Sequence, residues 1–230
     1  MVMIPNIIHQ IWIGPNTRPD IWMDTVRKFC HEFGYQYKLW DNDAAARFPL
    51  ENRATYNKVK EYCGKADILR YEILHKYGGV YIDADSVILK GDKLHKIISD
   101  FDDDCGFGYE IDNERICNGV ILAKEGSQFL KHCIDNISSR DVLSYHPWIS
   151  IGPMYITELY NKYKDQIKVK TYARTIFYPR PWQDIHQIDL HKYTHIPEES
   201  VMFQYGYSTN FLNNLFSAKK PRFIFNRRFK

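Results

Sequence analysis

The stretch Ala66-Asp67-Ile68-Leu69-Arg70-Tyr71-Glu72-Ile73-Leu74-His75-Lys76-Tyr77-Gly78-Gly79-Val80-Tyr81-Ile82-Asp83-Ala84-Asp85 contains the change of secondary structure that organises the chain. Its first part has helical spacing, and the helical reading extends back to residue 55. Gly78-Gly79 is a natural helix stop. Val80 to Asp85 is short and apolar at its start, and reads as a strand running into a loop. A helix, a glycine pair and a strand in succession form the repeating unit of α/β sheets.

The same alternation continues on both sides. Upstream, Ile7 to Ile13 reads as a buried strand stopped by Gly14-Pro15, residues 20–33 as a helix, and Tyr35 to Trp40 as a strand before a polar connection. Downstream come a short strand at Val87 to Leu89, a helix over 92–99, strands over 105–109 and 119–123, and a helix over 127–137. Strands alternating with helices predict an α/β fold with a mostly parallel central sheet flanked by helices. Residues 140–230 are mixed and rich in Pro and Tyr, with no boundary signal that would split off another domain.

Composition narrows the class. The 230 residues are 44% hydrophobic and 26% charged, ordinary globular values that exclude fibrous and disordered chains. Scaling of surface with mass has about 70% of the chain's surface buried on folding, enough for a core without staples. The aromatic fraction is 15%, with 17 Tyr, 13 Phe and 5 Trp, which suits either plain core or a pocket for flat rings and sugar faces. The net charge of +3 lacks the strongly basic balance of a nucleic-acid binder. The charges are unevenly placed: residues 100–114 hold seven carboxylates, while Lys219, Lys220, Arg222, Arg227, Arg228 and Lys230 form a basic tail with no acid. That tail reads as a solvated terminus or as peripheral contact with an anionic membrane surface. Five cysteines, Cys30, Cys63, Cys105, Cys117 and Cys133, form no CxxC pair and suit a reducing compartment. The N-terminus lacks a basic segment followed by a long apolar run, and no stretch approaches the length of a membrane span. We therefore expect a cytoplasmic protein without a transmembrane segment.

The chemistry concentrates at Asp83-Ala84-Asp85. Alternation along a strand puts Tyr81, Asp83 and Asp85 on one face and Val80, Ile82 and Ala84 on the other. Two carboxylates so close repel each other unless a cation sits between them. Hard divalent ions such as Mn²⁺ and Mg²⁺ take carboxylate oxygens and often bridge to substrate phosphates. A DxD by itself also occurs in solvated loops. Here it ends an apolar strand, where open α/β sheets bind ligands. Asp67 and Arg70 lie one helical turn apart just before it. Local spacing fits a surface ion pair, and it equally fits an Arg held beside the DxD to meet phosphate or sugar hydroxyls.

Ala66-Asp67-Ile68-Leu69-Arg70-Tyr71-x₂-Leu74-x₂-Tyr77-Gly78-Gly79-Val80-Tyr81-Ile82-Asp83-x-Asp85 resembles the DxD sugar-binding region of glycosyltransferase family 32, which includes yeast α-1,6-mannosyltransferases and capsular-polysaccharide enzymes. It is also similar to the glucosyltransferase domains of large clostridial toxins. The opening Ile4-Pro5-x₂-Ile8-His9-Gln10-Ile11-Trp12-Ile13-Gly14 matches the start of both groups. The resemblance is clear over residues 4–90, fair to about 125 and thin beyond.

It implies a single GT-A-type domain over 1–230, with the donor-binding part about 1–125 and the acceptor side and closing segment about 126–230. It implies a metal-dependent retaining hexosyltransferase using Mn²⁺ or Mg²⁺. The donor would be a nucleotide sugar, with UDP-linked donors favoured by the toxin-like helix and GDP-mannose the alternative. The acceptor would be a glycan or glycosylated molecule. A metal-dependent phosphoryl- or nucleotidyl-transferase and a nucleotide-sugar-binding protein without turnover are the competing classes.

Carried over by position, Trp12 would stack on the nucleotide base, Asp67 and Arg70 would hold the sugar and phosphate region, and Tyr81 would flank the nucleotide. Asp83 and Asp85 would hold the metal, Asp85 more directly. Asn118 fits the family's Asn-Gly segment near the transferred sugar, and reads otherwise as a turn Asn before a strand. Asp85, Arg70 and Asn118 are the candidate catalytic residues. Gly152-Pro153 resembles the family's Gly-Pro near the acceptor. His195 would be a third metal ligand, with Ser200 at the family's spacing, although Val201 replaces the usual Trp. An alternative placement uses Gln204 and Ser208. His9 reads as a structural strand residue, and Tyr71 and Tyr77 as packing.

Overall fold

The structure is a computed structural model that describes residues 4–180 and 196–206. In chain order the elements are β1 (Ile7–Ile11), α1 (Asp20–Phe33), β2 (Gln36–Trp40), α2 (Asn42–Arg47), α3 (Arg53–Lys58), α4 (Tyr62–Tyr77), β3 (Gly79–Ile82), β4 (Ser86–Ile88), α5 (Gly91–Ser99), β5 (Cys105–Ile111), β6 (Arg115–Ala123), α6 (Gln128–Ile137), α7 (Pro147–Ser150), α8 (Pro153–Tyr163), β7 (Val169–Tyr172), α9 (Arg174–Phe177) and β8 (Met202–Gln204).

Six strands form one sheet in the order β2-β1-β3-β6-β5-β7. β1 runs parallel to both β2 and β3, β6 is antiparallel to β3 and to β5, and β7 is parallel to β5. Only β6 therefore opposes the common direction, and the mostly parallel sheet expected from the sequence is present. Period-2 alternation divides its side chains between two cores. Tyr81, Ile121 and Ala123 join Ile68, Leu69, Ile73 and Leu74 of α4 on one face. Val80, Ile82, Val120 and Leu122 join Val26 and Phe29 of α1 and Leu94 and Ile98 of α5 on the other.

Three local expectations are corrected. The helix read over 55–77 is two helices, α3 and α4, because Val59 adopts an extended conformation at φ −63°, ψ 127° and is buried. The polar connection after β2 contains α2, whose N-cap Asp41 accepts from the Ala44 amide at 2.9 Å. β3 ends at Ile82, so the alternation expected to carry Asp83 and Asp85 onto one face stops short. Asp83 leaves the strand, and Ala84 and Asp85 form a turn closed by the Ser86 amide donating to the Asp83 carbonyl at 3.0 Å.

The glycine pair between α4 and β3 is sterically required. Gly78 and Gly79 have φ of 61° and 95°, where side chains are disfavoured. A Cβ on Gly79 would lie 2.4 Å from the Ile7 carbonyl oxygen of the neighbouring strand. His9 closes the same corner. Its Nε2 hydrogen-bonds the Gly78 carbonyl at 3.0 Å, and its Nδ1 accepts from Trp40 Nε1 at 3.2 Å. Both bonds suit a neutral imidazole, and burial lowers its pKa to about 4. Beyond the DxD turn, β4 pairs antiparallel with β8, Ser86 opposite Gln204, which returns a late segment of the chain to this edge.

Candidate functional site

A cavity of about 500 Å³ opens at the edge where β1 and β3 end and the β5–β6 hairpin begins. Its lining includes Trp12, Asp67, Arg70, Tyr81, Asp83, Asp85, Asn118 and Gln204. The residues singled out from the sequence as donor-side or metal-side candidates, His195 aside, meet in this one place, joined by Gln204 of the alternative closing placement and by Pro153, while Ser200 is buried elsewhere. His195 and Ser208 lie outside the described residues, as does the basic tail.

The floor is a buried polar cluster centred on Arg70, which is 5% exposed. Its Nη1 donates to the Asn118 carbonyl at 2.6 Å and lies 3.2 Å from Asp83 Oδ1, and its Nη2 lies 3.1 Å from Asp67 Oδ1. The guanidinium carbon sits 4.4 Å from the centre of the Tyr81 ring. Arg70 thus bridges the helix, the DxD turn and the antiparallel strand. The surface ion pair that local spacing allowed is ruled out, because both partners are buried.

Asn118 completes the cluster. Its Nδ2 donates to Asp67 Oδ1 at 2.8 Å and to the Tyr71 hydroxyl at 2.9 Å, and that hydroxyl donates to the Ile151 carbonyl at 2.8 Å. Tyr71 is therefore a polar link as well as a packing residue, which helical periodicity alone could not reveal. Nor is Asn118 a turn residue. It lies inside β6, where the pairing with β5 jumps from Phe107↔Ile121 to Gly108↔Cys117. Such a bulge re-aims the side chains around it, a common device next to sites. Gly119 beside it allows close approach: a Cβ there would lie 2.7 Å from Asp83 Oδ2.

Asp83 is held from three sides. The Tyr81 hydroxyl donates to Oδ1 at 2.7 Å, Arg70 faces the same oxygen, and Gln204 Nε2 donates to Oδ2 at 2.7 Å. Asp85 is 6% exposed, and its carbonyl accepts from the Tyr205 amide at 2.9 Å. Arg180 in turn donates to the Tyr205 carbonyl at 2.6 Å. Tyr205 stacks on Trp22 of α1 with ring centres 4.7 Å apart. The β8 segment is thereby strapped across the DxD turn.

Charge in the cluster is unequally shared. Burial pushes the Asp67 carboxyl up to about 7; Arg70 pulls it down, Asp83 adds to the rise, and the Asn118 hydrogen bond opposes it. Burial also keeps the Tyr81 hydroxyl protonated, so it stays a donor to Asp83.

Among the described residues no group of three or more His, Cys, Asp and Glu forms a metal-ligand set. The Asp83–Asp85 pair nevertheless fits an ion of the Mg²⁺ or Mn²⁺ class, which keeps several waters and binds through one or two carboxylates plus substrate phosphates.

Comparison with known proteins agrees with this geometry. Residues 19–101 match the glycosyltransferase sugar-binding region containing DXD motif. An uncharacterized glycosyltransferase of Acanthamoeba polyphaga mimivirus is 42% identical over 100 residues, covering 38% of each chain. Inositol phosphoceramide mannosyltransferase 1 of Schizosaccharomyces pombe is 29% identical over 177 residues, which is 71% of this chain and 53% of that protein. The chain thus spans only about half or less of the length of these relatives. Among solved structures, the PaToxG glycosyltransferase superposes with a TM-score of 0.53 at 19% identity, covering 71% of this chain and 69% of that one, and so shares the fold. The resemblance read from the DxD stretch and the GT-A-type fold are both borne out.

Proposed function

We propose that this chain is a metal-dependent, retaining glycosyltransferase that moves a hexose from a nucleotide sugar to a hydroxyl of a glycan or glycosylated acceptor. The observation that carries the reading is the convergence of Asp67, Arg70, Asp83 and Asn118 on one cavity that Trp12 and Asp85 also line. No local feature of a solvated loop accounts for a buried guanidinium shared between two acids and a strand carbonyl.

The reaction breaks the bond between the anomeric carbon and the diphosphate oxygen and leaves negative charge on the diphosphate. Groups that meet that charge stabilise the transition state more than the ground state. Asp83 and Asp85 would hold a divalent ion, which when bound supplies positive charge against the leaving group. Arg70 fixes Asp83 and carries a permanent positive charge beneath the diphosphate region. Both Asn118 amide protons are committed to Asp67 and Tyr71, so Asn118 offers its Oδ1 as an acceptor for a sugar hydroxyl. Trp12 lies beyond the end of β1, with Nε1 donating to the Asn16 carbonyl at 3.0 Å, and offers its indole to the base. In front-face attack the acceptor oxygen bonds to the anomeric carbon on the face the phosphate leaves, and its proton passes to the departing phosphate oxygen. UDP-linked donors remain our first choice, and the mannosyltransferase relative makes GDP-mannose the donor to compare.

Nucleotide sugars screened with Mn²⁺ by thermal shift and donor hydrolysis test this reading. Asp85→Ala should lose donor turnover by roughly a hundredfold or more, the scale of removing one preorganised charge contact, while circular dichroism stays unchanged. Full activity in that variant would overturn the assignment. Phosphate release without any sugar product would favour phosphoryl transfer, and donor binding without hydrolysis would favour a binding protein. A covalent sugar adduct found by mass spectrometry would replace front-face attack with double displacement. Membrane contact through the basic tail predicts salt-sensitive liposome binding that is lost on truncation after Ala218.

A further inference from the structure

The cavity has a second wall that the donor reading leaves unused. Across the sheet edge, Trp12 stands past β1, Asp83 past β3, Asn118 on β6 and Glu110 near the end of β5. Three strand spacings separate β1 from β5, roughly 14 Å. Glu110 and Cys117 line the cavity on the β5–β6 side, and His146, Trp148 and Pro153 line it from α7 and the start of α8.

That wall is a built structure. The Glu110 carboxylate takes Arg115 Nε at 2.7 Å, with side-chain exposures of only 16% and 11%. Arg115 in turn lies over the Trp148 ring at 4.8 Å. Trp148 is half-buried in α7, and its amide donates to His146 Nδ1 at 3.2 Å. The Ile116 amide donates to Thr157 Oγ1 at 3.0 Å, tying the β5–β6 hairpin to α8. An indole under a guanidinium, a carboxylate locked by the same guanidinium and an exposed histidine thus form one connected group on this wall of the cavity. A flat apolar ring packs against the C–H face of a pyranose, and a fixed carboxylate accepts from its hydroxyls.

We propose that Glu110, Arg115 and Trp148 form the subsite that holds the sugar ring of the acceptor. The assignment rests on the donor reading, which puts the nucleotide at the Trp12 end and so leaves this end for the second substrate. Trp148 supplies the platform, Glu110 orients the ring through its hydroxyls, and Arg115 positions both. A glycosylated acceptor is thereby chosen over a bare serine or threonine side chain, which would have no ring to meet Trp148.

Binding separates this inference from the donor reading without any need for turnover. Saturation-transfer NMR with methyl α-mannoside, methyl β-galactoside and methyl β-glucoside, in the presence of nucleotide and Mn²⁺, should detect at least one glycoside. Its affinity should fall roughly tenfold in Trp148→Ala, the scale of one aromatic contact, recover largely in Trp148→Phe, and fall in Glu110→Gln. Nucleotide affinity, measured by calorimetry, should drop in Trp12→Ala and hold in Trp148→Ala, which also controls for folding. No signal from any glycoside, or unchanged glycoside affinity in Trp148→Ala, overturns the subsite even if the donor reading stands. Loss of nucleotide binding in none of the donor-side variants would sink the donor reading instead.

Discussion

Gln204 Nε2 donates to Asp83 Oδ2 at 2.7 Å, joining residues 121 positions apart. The bond is made possible by the pairing of Ser86 with Gln204 across β4 and β8. It brings the late part of the chain onto the DxD turn.

Gln204→Ala should therefore weaken the site without unfolding it. Asp83 would keep Tyr81 and Arg70 but lose one of its two fixed oxygens. We expect donor affinity to fall several-fold and stability by about 1 kcal/mol, the net worth of one hydrogen bond. Nucleotide calorimetry and urea unfolding measure the two effects. Unchanged donor affinity would mean that the strap is structural only.

Arg70 is the residue on which the cluster depends. Arg70→Ala leaves the buried Asp67 carboxylate, the half-buried Asp83 carboxylate and the Asn118 carbonyl without their shared cation, and should destabilise the fold by roughly 3–5 kcal/mol. Arg70→Lys keeps the charge but cannot reach Asn118, Asp67 and Asp83 together, since an ammonium lacks the planar fork. That variant should fold, with donor turnover falling far more than thermal stability. Near wild-type turnover in Arg70→Lys would contradict the bridging role.

Gly119 tests the close approach of β6 to Asp83. A Cβ would sit 2.7 Å from Asp83 Oδ2, 3.1 Å from Gln204 Nε2 and 3.3 Å from the Tyr178 hydroxyl. Gly119→Ala should cost about 1–3 kcal/mol as overpacking and displace Asp83. A melt combined with donor hydrolysis should show the activity loss exceeding the stability loss; an unperturbed enzyme would mean that the strand can retreat.

His9 and Asp67 titrate over overlapping ranges with opposite sign. Burial lowers His9 from 6.5 to about 4, so the unfolded chain binds the proton more readily. The stability from its neutral form is whole above pH 6.5 and is lost as pH falls toward 4. Burial raises Asp67 from 3.8 to about 7, so its contribution is whole below 3.8 and is lost as pH rises through 7. In the wild type the two slopes oppose each other. Asp67→Asn removes one, so its urea midpoint should climb more steeply than wild type from about pH 4.5 to 6.5. Parallel curves would show that Asp67 does not titrate there.

Much of the fold was legible because α4, the glycine pair and β3 carry their signals locally. A long helix-forming run gives way to a short β-branched apolar run across two glycines that only a sharp turn needs. Where the sequence reading failed, a longer-range effect decided. Val59 breaks a helical pattern because the break lets it be buried, and the strand ends at Ile82 because the chain turns there to pair with β8.

The sequence by itself determined the α/β alternation, the DxD motif at a strand end and the chemistry of Asp67, Arg70 and Asn118 as candidates. Tertiary structure decided that Arg70 is buried between two acids, that a bulge turns Asn118 toward Asp67, that Tyr71 belongs to the site, and that Gln204, offered by the sequence as an alternative closing residue, reaches Asp83. Helical and strand periods report only which face of an element is apolar. Which polar groups meet on the far sides depends on strand order, register and bulges, and these are fixed by contacts between residues as much as 121 positions apart.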